Sequence, residues 1–218
     1  MDSRDWGEIY VIDRKTKKME WRWGNPAAYG KGRAPSGYTD NGDQVLFGPH
    51  DVRWLPNGNV SILNNGTYRP STNYSSAMEI KPEGFDGGEV VWEFRTGDPN
   101  SFSSDYQSAA QKLPNDNWLI TSTNNGHLFE VTNGKDVVWE YANPISGNTA
   151  YCVKHDKMPW NQVHRAFRYA KDDERFKGKD LTPKGRLAAG CPDWQAQLDG
   201  AWKEPKNRSA KPPKGDER

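Results

Sequence analysis

The chain has 218 residues, with 30 basic and 29 acidic side chains and a formal net charge of +1. This balance gives no electrostatic basis for binding nucleic acid or an anionic membrane surface, and no apolar run of about 18 residues is present to span a bilayer. Hydrophobic residues make up only 33% of the chain, yet ten Trp and nine Tyr can bury much area between narrow sheets.

The chain opens with a segment that is typical of two strands joined by a polar turn. Residues 7–24 read GEIYVIDRKTKKMEWRWG, with β-branched and aromatic residues on both sides of a basic turn. We interpret this segment as the last two strands of a repeat. The sequence as given shows no signal peptide, because no basic stretch followed by an apolar stretch stands at its start.

Two longer segments follow one common pattern. Each has an LPNxN turn (residues 55–59 and 113–117), an apolar strand, an Asn-Asn-Gly turn, a further strand, and the letters VVWE (residues 90–93 and 137–140). The spacing from Trp92 to Trp139 lies in the range of roughly 40 to 50 residues that is typical of β-propeller blades. Trp21 occupies the corresponding place in the opening segment, and we predict that all three rings pack between sheets.

These patterns predict an all-β fold, a partial or open β-propeller of about three to four four-stranded blades over residues 1–187. Residues 188–218 are rich in Pro and Lys and predict a disordered polar tail. Closed propellers generally have about four to eight blades. The chain is therefore interpreted as a small or open propeller, a fragment, or one part of a ring that a partner chain or a homo-oligomer completes.

Two cysteines are present, Cys152 and Cys191. They would form one disulfide in an oxidising compartment and stay free thiols in the cytosol. Their spacing fits no metal motif, and the sequence predicts neither a metal site nor a cofactor.

Three stretches of the chain resemble the bacterial arylsulfotransferase family: GPHDVRWLPNGNVSILNNG, SAAQKLPNDNWLITSTNNGHLFEVT and NQVHRAFRYAKDDERFKGKDLTPKGRL. The similarity covers about residues 7–187. It implies the C-terminal half of a six-bladed propeller, in a family whose members are typically periplasmic, and thus a periplasmic or extracellular location. It also implies transfer of sulfate from a phenolic sulfate ester to a phenol acceptor, through a transiently sulfated histidine.

The candidate site residues follow from the resemblance and from their chemistry. His50 directly follows Gly48-Pro49 and matches a family position that carries a sulfate-contacting histidine, which makes it the catalytic candidate; a histidine that only bonds neighbouring blades is the alternative. Arg69 could hold a sulfonate through two parallel hydrogen bonds, and Tyr68 and Tyr74 could stack on an aryl group. A solubilising Arg and strand-edge tyrosines are the alternatives.

The other histidines are weaker candidates. His155 and His164 are predicted substrate contacts, whereas His127 is expected to be exposed to solvent. Ser108 stands where a histidine would begin the corresponding strand of the next repeat. Two functions therefore stay open, an arylsulfotransferase-like enzyme and a non-catalytic propeller that serves as a scaffold or binding subunit.

Overall fold

The protein is built almost entirely of β-strands. A computed structural model describes residues 1–143 and 161–183, and the predicted residues His155, Cys152 and Cys191 and the predicted tail, residues 188–218, lie outside this part of the chain. The strands are β1 Asp2–Ser3, β2 Glu8–Ile12, β3 Met19–Trp23, β4 His50–Trp54, β5 Val60–Asn64, β6 Ser76–Glu83, β7 Gly87–Phe94, β8 Ala109–Lys112, β9 Trp118–Ser122, β10 His127–Val131 and β11 Val137–Ala142. Short 3-10 turns are found at Pro26–Tyr29, Pro99–Ser101 and Glu174–Phe176, and no helix in the described part has the length and apolar character of a membrane span.

The strands form three antiparallel sheets in chain order. The first sheet contains β1–β3, the second β4–β7 and the third β8–β11, and in each sheet consecutive strands are hydrogen-bonded neighbours. The all-β prediction is confirmed, and the three sheets are arranged as in an open propeller. The first sheet has one strand more than predicted, because Asp2 and Ser3 pair with Ile9 and Glu8.

The LPNxN turns are bound to a carboxylate on the third strand of their own sheet. The side-chain amides of Asn57 and Asn59 donate to Glu79 Oε1 at 2.8 and 2.6 Å. The third sheet has the same contacts, from Asn115 and Asn117 to Glu130 Oε1 at 3.4 and 2.7 Å. The two Asn side chains of each turn therefore satisfy a buried carboxylate.

Two apolar cores separate the three sheets. One lies between the first and second sheets and includes Ile9, Trp21, Val60 and Ile80. The other lies between the second and third sheets and includes Phe94, Phe102, Trp118 and Phe129. Because side chains alternate across a strand, the second sheet contributes to both cores.

The predicted packing of the three tryptophans is confirmed for two of them. Trp21 and Trp92 are 4% and 9% exposed, and their Nε1 atoms donate to Gly87 O at 2.8 Å and Asn133 O at 2.9 Å on the next sheet. Trp139 is 44% exposed, so the prediction is wrong for this ring. Its face of the third sheet has no further sheet against it among the described residues.

An extended segment, residues 161–169, crosses the outer face of the third sheet. Ala166 N donates to Thr121 Oγ1 at 3.1 Å, and Thr123 Oγ1 donates to Val163 O at 2.8 Å. Thr121 pairs with Ala109 on the face that points away from the second sheet. The segment is thus held by side chains of the sheet, and we call it the 161–169 segment.

Candidate functional site

A polar cleft of about 340 Å³ opens where three parts of the chain meet, and Asp2 of β1 also lines it. These parts are the start of β4, the residues that precede β8, and the 161–169 segment. We call it the His50 cleft, and its lining residues are Asp2, His50, Asp51, Val52, Arg53, Gln107, Ser108, His164 and Arg165. The cleft therefore brings together two of the predicted site residues, His50 and His164.

The ring of His50 is held at the start of β4 through one of its nitrogens. Nδ1 lies 2.7 Å from Asn65 Oδ1 and 3.1 Å from Gly48 O. Gly48 has a φ of 61°, a conformation that glycine adopts without the strain of a side chain. The turn before β4 thus places the half-buried ring of His50 at the wall of the cleft.

His50, Ser108 and His164 occupy comparable places in the three walls of the cleft. His50 is the first residue of β4, Ser108 directly precedes β8, and His164 lies near the start of the 161–169 segment. All three line the cleft. The cleft thus contains one serine and two histidines, each from a different part of the chain.

Hydrogen bonds from the preceding sheet support this comparison. In the second sheet, the side chain of Asn65 donates to Gln107 O, one residue before Ser108, at 3.2 Å. In the third sheet, Thr123 Oγ1 donates to the carbonyl of residue 163, one residue before His164, at 2.8 Å. The 161–169 segment therefore lies against the third sheet much as the start of β8 lies against the second.

Asp51 links the three walls of the cleft. Its buried carboxylate accepts from Arg53 Nε and Nη2 at 3.0 and 2.8 Å, and Arg165 Nε lies 3.3 Å from Oδ1. The backbone N–H of Ala110 in β8 donates to Oδ2 at 3.2 Å. Asp51 itself has a φ of 62°, in the left-handed region that few non-glycine residues occupy. A strained residue that is held by its neighbours in this way is often found at functional sites.

Arg53 and Arg165 are functional candidates that the sequence interpretation missed. Both guanidinium groups lie beside the ring of Phe167, with Cζ 4.7 and 5.8 Å from its centroid, which is the distance range of cation–π contacts. The sequence places both arginines close to the cleft histidines. In HDVR an Arg follows the histidine by three residues, and in VHRAFR an Arg follows it directly. What the sequence did not reveal is that both arginines meet at Asp51.

The predicted residues Arg69, Tyr68 and Tyr74 do not line the His50 cleft. Arg69 is buried, its Cζ lies 3.7 Å from the centroid of the Tyr74 ring, and its Nη1 donates to Tyr74 O at 3.4 Å. Burial lowers the pKa of the Arg69 guanidinium. Tyr68 is 80% exposed. Arg69 and Tyr74 are thus packed against each other, and their part in substrate binding stays a prediction.

His127 differs from its predicted exposure. It is half-buried, with its ring centroid 4.9 Å from that of Phe129 and its Nε2 3.3 Å from Glu140 Oε1. Burial lowers the pKa of the His127 imidazole, and the neighbouring Glu140 carboxylate partly opposes this effect. The pairing of β10 with β11 places the Glu140 carboxylate next to the ring, which the sequence position of His127 did not reveal.

The chain is similar to a known protein family and to solved structures. The family model described as arylsulfotransferase (ASST) matches residues 1–151. A crystal structure of a protein of unknown function from Bacteroides caccae is 18% identical, with a TM-score of 0.32. This match covers 65% of the present chain and 56% of the other, so the present chain spans little more than half of that protein's length. No curated protein matches.

Proposed function

The chain belongs to the arylsulfotransferase (ASST) family, whose model matches residues 1–151, and on this premise we propose that the His50 cleft transfers sulfate from a phenolic sulfate ester to a phenol. One observation carries the proposal. Two histidines and two arginines, from separate parts of the chain, line a single cleft. Imidazole nitrogens are nucleophiles, and guanidinium groups are suited to holding sulfate oxygens.

His50 is the proposed nucleophile. Its ring nitrogen attacks the sulfur of the donor, so that a nitrogen–sulfur bond forms while the sulfur–oxygen bond to the aryl group breaks. The phenolate leaves with the electron pair. In the second step the oxygen of an acceptor phenol attacks the same sulfur, the nitrogen–sulfur bond breaks, and the acceptor loses its proton to water, which regenerates the neutral ring.

Arg53, Arg165 and His164 are the proposed donors to the sulfate oxygens. A guanidinium group has five N–H donors in a fixed plane. Arg53 uses two of its nitrogens to bind Asp51 and Arg165 uses its Nε, so each retains donors for the cleft. Donors that are held in place before the reaction stabilise charge as it develops. In this cleft Asp51 holds the two arginines.

Arg69, Tyr68, Tyr74 and His155 stay predicted substrate contacts. The first three lie outside the His50 cleft, and the exposed ring of Tyr68 lines a separate pocket of about 350 Å³ with Phe47. Replacement of Arg69 by Ala tests this part of the prediction. A rise in KM for the aryl sulfate without loss of folded protein would support it, and unchanged kinetics would remove Arg69 from the site.

A non-catalytic propeller is the second candidate. The charges of the cleft favour it, because the carboxylates of Asp2 and Asp51 equal the two arginines in number. Asp51 also binds both arginines, which reduces their attraction for an anion. In this candidate function the contacts around Asp51 serve to join the sheets, and the protein acts as a scaffold or binding subunit.

Release of 4-nitrophenol from 4-nitrophenyl sulfate, with phenol as acceptor, decides between the two candidates. We expect turnover by the wild-type protein and a loss of more than about 100-fold on replacing His50 with Ala. His127→Ala is the matched control, because His127 does not line the cleft, and it should retain activity. A folded wild-type protein that transfers sulfate to no phenolic acceptor would favour the scaffold.

We also propose a partner and a location. A partner chain or a second copy covers the part of the outer face of the third sheet around Trp139, a proposal supported by the exposure of this ring. The location is periplasmic or extracellular, as family membership suggests. Light scattering on the purified protein and fractionation of cells that produce it test the two proposals separately.

A further inference from the structure

The hydrogen bonds of His50 determine which of its ring nitrogens carries the proton. Nδ1 lies within hydrogen-bond distance of Asn65 Oδ1 and Gly48 O, and an amide oxygen and a backbone carbonyl can only accept. The neutral ring therefore satisfies both contacts only when Nδ1 carries the hydrogen. Nε2 then has the free lone pair.

The orientation of the Asn65 amide is set independently of His50. Its Nδ2 lies 2.6 Å from Ser104 O and 3.2 Å from Gln107 O. Turning the amide over would place Oδ1 against two carbonyl oxygens, and the side chain is buried, where unsatisfied polar atoms are costly. The amide oxygen thus faces His50, and the loop before β8 holds it there.

We propose that Asn65 is the positioning residue of this site: it fixes His50 in the form protonated at Nδ1, so that Nε2 is the atom that attacks sulfur. The attack by Nε2 rests on the proposed function. The protonation of Nδ1 follows from the hydrogen bonds of His50 and does not depend on that function. Asn65 does not line the cleft, and its proposed effect on the reaction runs through its contact with His50.

The same contact strengthens during the reaction. A neutral ring that attacks through Nε2 while keeping its Nδ1 hydrogen becomes a positively charged N-sulfoimidazolium, and the released aryl oxide takes the negative charge of the donor. The Nδ1–H to Oδ1 bond then has a charged donor, and such bonds are about twice as strong as neutral ones. Asn65 therefore stabilises the sulfated intermediate more than the resting enzyme, so its loss lowers kcat more than it changes KM.

The experiment compares Asn65→Leu with Asn64→Leu. Asn64 is a matched control, because its buried side chain also makes two hydrogen bonds to the backbone, with Phe47 N at 2.8 Å and Val45 O at 2.9 Å, and neither partner is His50. Long-range ¹H–¹⁵N correlation spectra of protein labelled at histidine show which ring nitrogen is protonated, with His50→Gln identifying the His50 signals. Kinetics with 4-nitrophenyl sulfate supply the second measurement.

In the wild-type protein we expect the neutral His50 ring to be protonated at Nδ1. Asn65→Leu should lower that population and reduce kcat at least about 10-fold at nearly constant KM, whereas Asn64→Leu keeps the tautomer and the kcat even if it lowers the unfolding temperature. A wild-type ring protonated at Nε2, or an unchanged spectrum in folded Asn65→Leu, would overturn the inference. If Asn65→Leu does not fold, the wild-type spectrum alone decides. An inactive wild-type protein with the expected spectrum would refute the proposed function and leave the positioning of His50 in place.

Discussion

Asp51 combines a buried carboxylate with a backbone conformation that is uncommon outside glycine. Its carboxylate is buried, and its backbone has a φ of 62°. A buried carboxylate is tolerated when it is paired and hydrogen-bonded, and Arg53, Arg165 and Ala110 supply these partners. The strain of the backbone is therefore maintained by contacts with parts of the chain that lie far away in sequence.

Replacement of Asp51 by Ala should lower the free energy of unfolding by about 1–3 kcal/mol, because Arg53 and Ala110 lose their partner while both arginines can still reach water. Urea unfolding measures this change. Glu83→Ala is the control, since Glu83 and Lys81 form an exposed pair that should contribute less than about 1 kcal/mol. Equal effects of the two substitutions would show that Asp51 does not link the walls of the cleft.

Tyr10 gives the protein a stability that depends on pH. Burial and the hydrogen bond from its hydroxyl to Glu8 Oε2, at 2.5 Å, raise the pKa of Tyr10 from 10.0 to about 12. The folded protein therefore binds this proton more tightly than the unfolded chain does. The resulting stability is fully present below about pH 10 and is lost as the pH rises to about 12. Thermal unfolding across this window should fall more steeply for the wild type than for Tyr10→Phe, and parallel curves would contradict the assignment.

At the scale of strands and turns, the repeated LPNxN and VVWE motifs correspond to repeated hydrogen bonds in the structure. The turns supply donors for a buried Glu, and in the first and second sheets the Trp of the last strand reaches the next sheet. Because turn chemistry and side-chain alternation are local properties, the sequence was sufficient to predict the strands other than β1.

Trp92 is the best test of the packing between sheets. Its ring stacks on Trp118 with the centroids 4.5 Å apart and the planes 7° from parallel. Trp92→Ala should cost about 3–5 kcal/mol, from lost burial and the cavity that remains, as measured by urea unfolding. Trp54→Ala is the control, because Trp54 is 60% exposed and its removal should cost less than about 1 kcal/mol.

Gly58 tests the conformation of the first LPNxN turn. Its φ is 85°, and a Cβ added there would meet no atom within 4 Å. Gly58→Ala should therefore cost about 1 kcal/mol through backbone strain alone. Gly97 also has open space where a Cβ would lie but no left-handed φ, so Gly97→Ala should be neutral or slightly stabilising in the same unfolding measurement. A neutral Gly58→Ala would mean that the turn has another conformation in solution.

At the scale of the whole molecule, the cleft was harder to predict than the sheets. His50 was identified from its place after Gly48-Pro49 and from the family resemblance, and His164 from its place at the start of an apparent strand. Arg53 and Arg165 were missed because their place in the cleft depends on contacts with Asp51, and the sequence did not reveal that Arg69 packs against Tyr74 and Phe47. Contacts between distant parts of the chain have no local signature in a single sequence.

The outer face of the third sheet is the proposed surface for association with a partner chain or a second copy. If a partner chain or a second copy covers it, Trp139→Glu should lower the oligomer fraction seen by light scattering, because a charge would have to be buried at the interface. Trp54→Glu, at another exposed ring, should leave it unchanged. A wild-type protein that stays monomeric at high concentration would exclude self-association through this face.

The position of Arg165 has a consequence for the order of folding. The second and third sheets consist of strands that follow one another in the chain, so their contacts close short loops. The contact between Asp51 and Arg165 instead spans most of the described chain, and it can form only after residue 165 has been synthesised. On a translating ribosome the sheets can therefore form while the third wall of the cleft is still being synthesised, and a chain that ends after β11 would contain every strand of these sheets without Arg165 or His164.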